Sequence, residues 1–176
     1  MTTTQSLELF LERELFALTL AATAQRSDLY ASDLSDAARR PFQRSLRHSL
    51  EQLSIAYSGV VNDANHLDNI ENLALSLSRG HGNVLAPGGM RFGHAQKALN
   101  LYLKYLWCLE KVHEPPHFPV DSIILKKIPG FSNYRWTRMG SRDDYSRIIR
   151  AAHKVAKVQK LSLACWELKE YKRRDA

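Results

Sequence analysis

An all-α fold, a compact single domain of about seven helices, is predicted by three observations. Apolar residues recur at three- and four-residue steps through the long segments. No stretch sustains the alternation of a strand, and turn-forming residues separate the periodic runs at short intervals. The chain of 176 residues, 44% hydrophobic and 24% charged, is large enough to bury a core without disulfide or metal staples.

Thr3 or Thr4 caps a helix over about 5–25, with Leu7, Phe10, Leu11, Leu15 and Leu18 as its apolar stripe. The Ser/Asp-rich break SDLYASDLSD follows. Pro41 then suits the first turn of a second helix, with Phe42, Leu46, Leu50, Leu53 and Tyr57 along one side and Gly59 at its end. Asn62 or Asp63 starts a third helix through Leu67, Ile70, Leu73 and Leu77, closed by Gly80 and Gly82 at positive φ. A fourth spans about 92–111, burying Phe92, Ala95, Leu99, Tyr102, Leu103 and Leu106. After PPHFP, Pro119 fits the first position of a short helix, VDSIILKKI, ended by Pro129-Gly130. GFSNYRWTRMG reads as loop. Ser141 caps a helix through Tyr145, Ile148, Ile149, Ala152 and Val155, and Ser162 caps a last one, LACWELKEYKRR.

The bulk properties narrow the function classes. No apolar run approaches the ~18–20 residues that cross a bilayer. The N-terminus, with Glu8, Glu12 and Glu14, lacks the basic region of a secretory signal. Cys108 and Cys165 fit a reduced cytosol, with one disulfide possible but not implied; a cytoplasmic protein without membrane association is expected, and a monomer. The net charge of +7 is uneven. Residues 126–176 hold 14 Lys/Arg against 5 Asp/Glu, a net of +9, whereas residues 1–125 are net −2. A basic region of this kind suits a polyanion, most often nucleic acid; a solvated helical face with a basic tail has the same composition.

Within residues 85–125 two residues suggest chemistry. Lys97 lies near the start of a helix opened by a Gly-rich turn, and Asp121 in the first turn of the next. Taken alone, Lys97 reads as a surface lysine off the apolar stripe, with Asn100 and Lys104, and Asp121 as an acid favoured by the helix dipole. Together they form an amine–carboxylate pair. A desolvated lysine can act as a Schiff-base nucleophile, and a carboxylate can stabilise a developing cation or activate the attacking group. His113 and His117 in HEPPH have metal-like spacing. The prolines between them break the helix that would align them, and no third or fourth ligand matches, so neither metal nor cofactor is expected. Phosphate-loop, dinucleotide and G-x-S-x-G signatures are absent. Trp107, Tyr134 and Trp136 are candidates to line a base pocket, although such aromatics are more often core. Tyr134 and Trp136 alternate with Arg135 and Arg138, as in a loop that grips an unstacked base and its phosphates.

LAPGG, MRFGHA, QKALNLYL and PVDSIILKK resemble the catalytic segment of the helix-hairpin-helix DNA glycosylases, and GHAQKALNLYLKYL is similar to the archaeal 8-oxoguanine glycosylase branch. The resemblance implies a helix-hairpin-helix-like element and a hydrolase that removes a damaged or modified base from double-stranded DNA. Lys97 then corresponds to the nucleophilic lysine of bifunctional members and Asp121 to the essential aspartate. The turn from Gly88 and Gly89 to Gly93 would hold a DNA phosphate, with Arg91, His94, Lys126, Lys127, Arg135 and Arg138 as further DNA contacts. The target nucleotide would leave the duplex for a pocket. A phage-modified base as substrate would imply phage defence rather than repair. A non-enzymatic helical DNA-binding or protein-interaction module, of bacterial or phage origin, is the alternative.

Overall fold

The structure, a computed structural model, describes residues 2–25 and 27–172. Seven α-helices follow in order: α1 (Thr3–Ala24), α2 (Asp36–Ala56), α3 (Asp63–Gly80), α4 (Phe92–Cys108), α5 (Ser122–Leu125), α6 (Arg142–Val158) and α7 (Leu163–Glu170). A 3-10 turn at Trp136–Arg138 interrupts the segment expected to be loop. Among the described residues the only strand-like pairing is one antiparallel bridge between Tyr30 and Leu85. The chain is therefore all-α.

Side-chain caps set most of the helix starts. Ser35, Asn62, Ser141 and Ser162 each accept a backbone N–H from the first turn of α2, α3, α6 and α7, filling donors that helix geometry leaves open. Thr2, not Thr3 or Thr4, caps α1, through a reciprocal box with Gln5. Because Ser35 starts α2, Pro41 lies inside that helix rather than in its first turn. Neither Gly80 nor Gly82 has positive φ; α3 closes with His81, whose N–H donates to the Leu77 carbonyl. Helix α4 ends at Cys108, short of 111, because Glu110 turns into the left-handed region and Lys111 N–H returns to the Leu106 carbonyl. Helix α7 ends at Glu170, and Arg173 and Arg174 of the predicted last helix lie outside the described residues.

Helix α4 is the axis of the fold, packed by α1, α2, α3, α6 and the 3-10 turn. Every residue from Phe92 to Leu103 is buried. A helix covered on all sides needs partners for its polar side chains as well as for its apolar ones. The predicted stripes of α2 and α3 bury Phe42, Leu46, Leu50, Ile70, Leu73 and Leu77 in a core shared with Leu99, Leu103, Tyr145, Ile148 and Trp166. Each fully buried aliphatic side chain contributes about 1.5–3 kcal/mol. The stripe expected on α1 is displaced. Leu7 and Phe10 are each 60% exposed, and Leu11 and Leu18 are exposed too. Of the predicted stripe Leu15 does touch the core, and Phe16, Leu20 and Ala24 join it, so only the C-terminal half of α1 packs in.

Candidate active site

The site is assembled on α4 by polar side chains that its burial forces into pairs. Gln96, fully buried, behaves like a peptide group: its Nε2 donates to the Val120 carbonyl at 2.8 Å, and its Oε1 accepts the Val120 N–H at 3.0 Å. This double bond in effect adds Val120 to the side of α4 and satisfies two buried backbone groups that no helix supplies. The next residue along the chain is Asp121, and the next residue along the helix is Lys97.

Lys97 Nζ donates to Asp121 Oδ2 at 2.7 Å. Asp121 is the N-cap of α5 rather than a residue of its first turn, and its Oδ1 accepts the Ile123 and Ile124 N–H groups at 2.9 and 3.0 Å. Pro119 consequently precedes the helix instead of starting it. Lys97 retains 4% and Asp121 8% of their surface, so Lys97 is not the solvated lysine that its place off the apolar stripe suggests. The spacing is two-faced: 97 and 104 lie two turns apart on α4, and Lys104 pairs with Glu167 of α7 at 2.7 Å. Burial holds the Glu167 carboxyl above its ordinary range; Lys104 and Lys97 oppose that shift and Asp121 adds to it. The two pairs therefore share one electrostatic field.

Lys97 and Asp121 open onto a cleft of about 340 Å³, at the small end of the ~300–1,000 Å³ of ligand pockets. Tyr134, Arg135 and Trp136 line it, with Ala22 of α1, Gln25 just past its end, and Tyr171. The aromatic–arginine wall is placed by Gly93, whose N–H donates to the Met139 carbonyl at 2.9 Å. A Cβ on Gly93 would lie 2.0 Å from the Trp136 carbonyl oxygen, so glycine permits this close docking. Arg91 reinforces it, donating to the Thr137 carbonyl and pairing with Asp28.

The other predicted residues divide. Lys126, Lys127, Arg135 and Arg138 are exposed, with Lys127 3.7 Å from Glu170. Gly88 and Gly89 both have positive φ, but the Gly89 N–H donates to the Ala86 carbonyl. The Gly93 N–H is likewise spent within the fold, so neither amide is free for a phosphate. His94 is fully buried beside Trp136, and burial, with Arg91 next, lowers its pKa to about 4. It is a neutral core imidazole, not a phosphate contact. Trp107 lies ten residues, about 15 Å, along α4 from Lys97 and borders a different cavity with Glu110 and Lys111, which removes it from the base pocket. The backbone N–H of His113 donates to the Tyr57 carbonyl, and the His117 ring packs on His66 and Tyr145. Among the described residues no three His, Cys, Asp or Glu side chains are disposed to hold a metal ion.

Sequence reasoning missed Gln96 and the network behind it. Asn100 Nδ2 donates to Tyr145 Oη at 3.0 Å and lies 3.4 Å from Gln96 Oε1, while its Oδ1 faces His66 Nε2 at 2.9 Å. An oxygen there requires His66 to carry its proton on Nε2, so Nδ1 accepts from the Tyr57 hydroxyl at 2.6 Å. Desolvation chiefly, with His117 adding to it, lowers the His66 pKa to about 3. The only sequence signal was a polar set, Gln96, Lys97, Asn100 and Lys104, spaced within a mostly apolar helix. A larger cavity of about 640 Å³ lies elsewhere, bordered by Glu71, Arg138 and Arg142, and contains no such buried pair. Comparison with protein-family models, with curated proteins and with solved structures finds no match to this chain.

Proposed function

We propose that this chain is a DNA glycosylase-like enzyme that excises a damaged or modified base by cleaving its N-glycosidic bond. The observation that carries the reading is the buried Lys97–Asp121 pair, 2.7 Å long, at a cleft walled by Tyr134, Arg135 and Trp136. A flipped base fits an aromatic wall, Arg135 lines the same cleft, and exposed Lys126, Lys127 and Arg138 are further cations for phosphate contacts. As the C1′–N bond breaks, the base departs with the bonding pair, which a proton from solvent water neutralises, leaving positive charge on the sugar. The Asp121 carboxylate, held in place by two backbone N–H groups, stabilises that charge. In the monofunctional route water adds to C1′ and gives its proton to Asp121. In the bifunctional route Lys97 first loses a proton to Asp121, its nearest acceptor, and its amine then bonds to C1′.

Incubation with genomic DNAs of differing base modification, scored for abasic sites, is the test. Asp121→Asn is expected to abolish release while sparing DNA binding; release retained by that variant overturns the assignment. Borohydride trapping of a covalent DNA adduct, lost in Lys97→Met, separates the two routes. One observation favours a second reading. Lys104–Glu167 has the same 2.7 Å length, so buried lysine–carboxylate pairs also serve here as ties between elements. A non-enzymatic DNA-binding module would bind duplex and form no abasic site on any of the DNAs.

A further inference from the structure

The exposed side of α6 carries a row of like charges. Arg147, Arg150, Lys154 and Lys157 recur at steps of three and four and are all exposed, so they form one stripe along the helix; Lys160 continues it at the C-terminal turn. No acidic residue lies between 145 and 160. Among the described residues none of these five cations has an ion-pair partner. Some other surface cations are paired, as Arg47 with Glu51 and Arg142 with Asp68, and the unpaired ones, such as Arg40 and Arg44, form no row of comparable length. Like charges at three- and four-residue steps destabilise a helix, and an outside polyanion relieves that cost. At the C-terminal end of the stripe a cavity of about 610 Å³ is bordered by His153, Lys154, Lys157, Lys160 and Leu161, with no carboxylate at its rim.

We propose that this stripe, none of whose residues lines the Lys97–Asp121 cleft, is a binding surface for the phosphate backbone of a nucleic-acid duplex. From Arg147 to Lys157 is ten residues, about 15 Å of helix, which spans about four phosphates of one strand. A rigid, straight row of charge fits a duplex edge. Contacts of this kind set position without reading sequence. The surface does not rest on base excision and binds unmodified DNA.

The test is fluorescence anisotropy of the full chain with a labelled 24-bp duplex of unmodified bases, over a series of salt concentrations. The triple variant Arg150→Gln/Lys154→Gln/Lys157→Gln is expected to flatten the slope of log affinity against log salt by about 2.7, at about 0.9 per phosphate contact. It also weakens binding more than about tenfold at 0.1 M salt. A control of equal charge loss, Arg13→Gln/Arg40→Gln/Arg44→Gln, is expected to change the slope by less than about 1. An unchanged slope in the first variant, or an equal change in the control, overturns the proposal. So does polyglutamate competing as well as duplex at equal charge, which points to an acidic protein. If the triple variant does not fold, Lys154→Gln alone is read for a change of about 0.9. Duplex binding that depends on this stripe, with no base release from any DNA, leaves this surface standing and removes the glycosylase reading.

Discussion

Breaking one half of the Lys97–Asp121 pair should cost far more than removing both halves. At 2.7 Å the gross attraction is about 6 kcal/mol at an effective dielectric of ~20, and most of it offsets the desolvation of two groups with little remaining surface. Lys97→Met keeps the apolar stem of the lysine in place but leaves Asp121 with an uncompensated charge beneath the cleft. The expected loss is about 3–5 kcal/mol. For a chain of this size that lowers the melting temperature by roughly 6–20 °C. Asp121→Asn keeps the cap, because the amide oxygen can still accept from Ile123 and Ile124, but turns an N–H₂ toward the ammonium; about 2–4 kcal/mol is expected. The double variant Lys97→Met/Asp121→Asn buries no charge, and should recover to within about 1–2 kcal/mol of wild type. Urea melts of the four proteins give the coupling energy directly, expected at about 3 kcal/mol or more. Additive single effects, within about 0.5 kcal/mol, would show that Lys97 is hydrated in solution and that the argument from burial is wrong.

Other consequences can be measured in the same way. Gln96→Met strands the Val120 N–H and carbonyl, so stability should fall by roughly 2–4 kcal/mol and the Val120 amide should exchange much faster in hydrogen-exchange experiments. Gly93→Ala sets a methyl against the Trp136 carbonyl and should cost about 2–3 kcal/mol, with a shifted tryptophan emission. Gly88→Ala, strained by φ +92° but facing open space, should cost only about 1 kcal/mol. Acid should destabilise the fold beginning near pH 6.5. The His66 and His94 pKa values are depressed to about 3 and 4, so the unfolded chain binds more protons below 6.5 and stability falls as pH drops toward those values. Glu167, raised by burial, acts in the opposite sense, losing stability as pH rises from about 4.5 through its folded pKa. His66→Gln should flatten the histidine slope in melts between pH 4 and 7; an unchanged slope would mean that His66 is not the buried proton acceptor.

The all-helical class, the starts of α3, α6 and α7, and the core stripes of α2 and α3 were legible in the sequence. They depend on local physics: capping side chains next to their own helix, and a 3.6-residue period that any single amphipathic helix displays. The same rule misjudged α1, because a stripe records what a helix is able to bury, not how far its neighbours extend. Leu7 and Phe10 follow the period and stay largely exposed. It also misjudged Lys97. On one helix, Gln96, Lys97, Asn100 and Lys104 look like a solvent face. That α4 is surrounded on every side is a property of five other elements, invisible in the spacing of its own residues.

The sequence by itself determined that a lysine and a carboxylate stand near the starts of two helices, that an aromatic–arginine loop follows them, and that the positive charge gathers in the last third. Tertiary structure alone decided that Lys97 and Asp121 meet at 2.7 Å, and that His94 and Trp107 are not part of their cleft. The physical reason is desolvation. Once α4 is buried, each polar group on it must find a partner, and the partners — Val120, Asp121, Glu167, Tyr145 and His66 — come from distant parts of the chain.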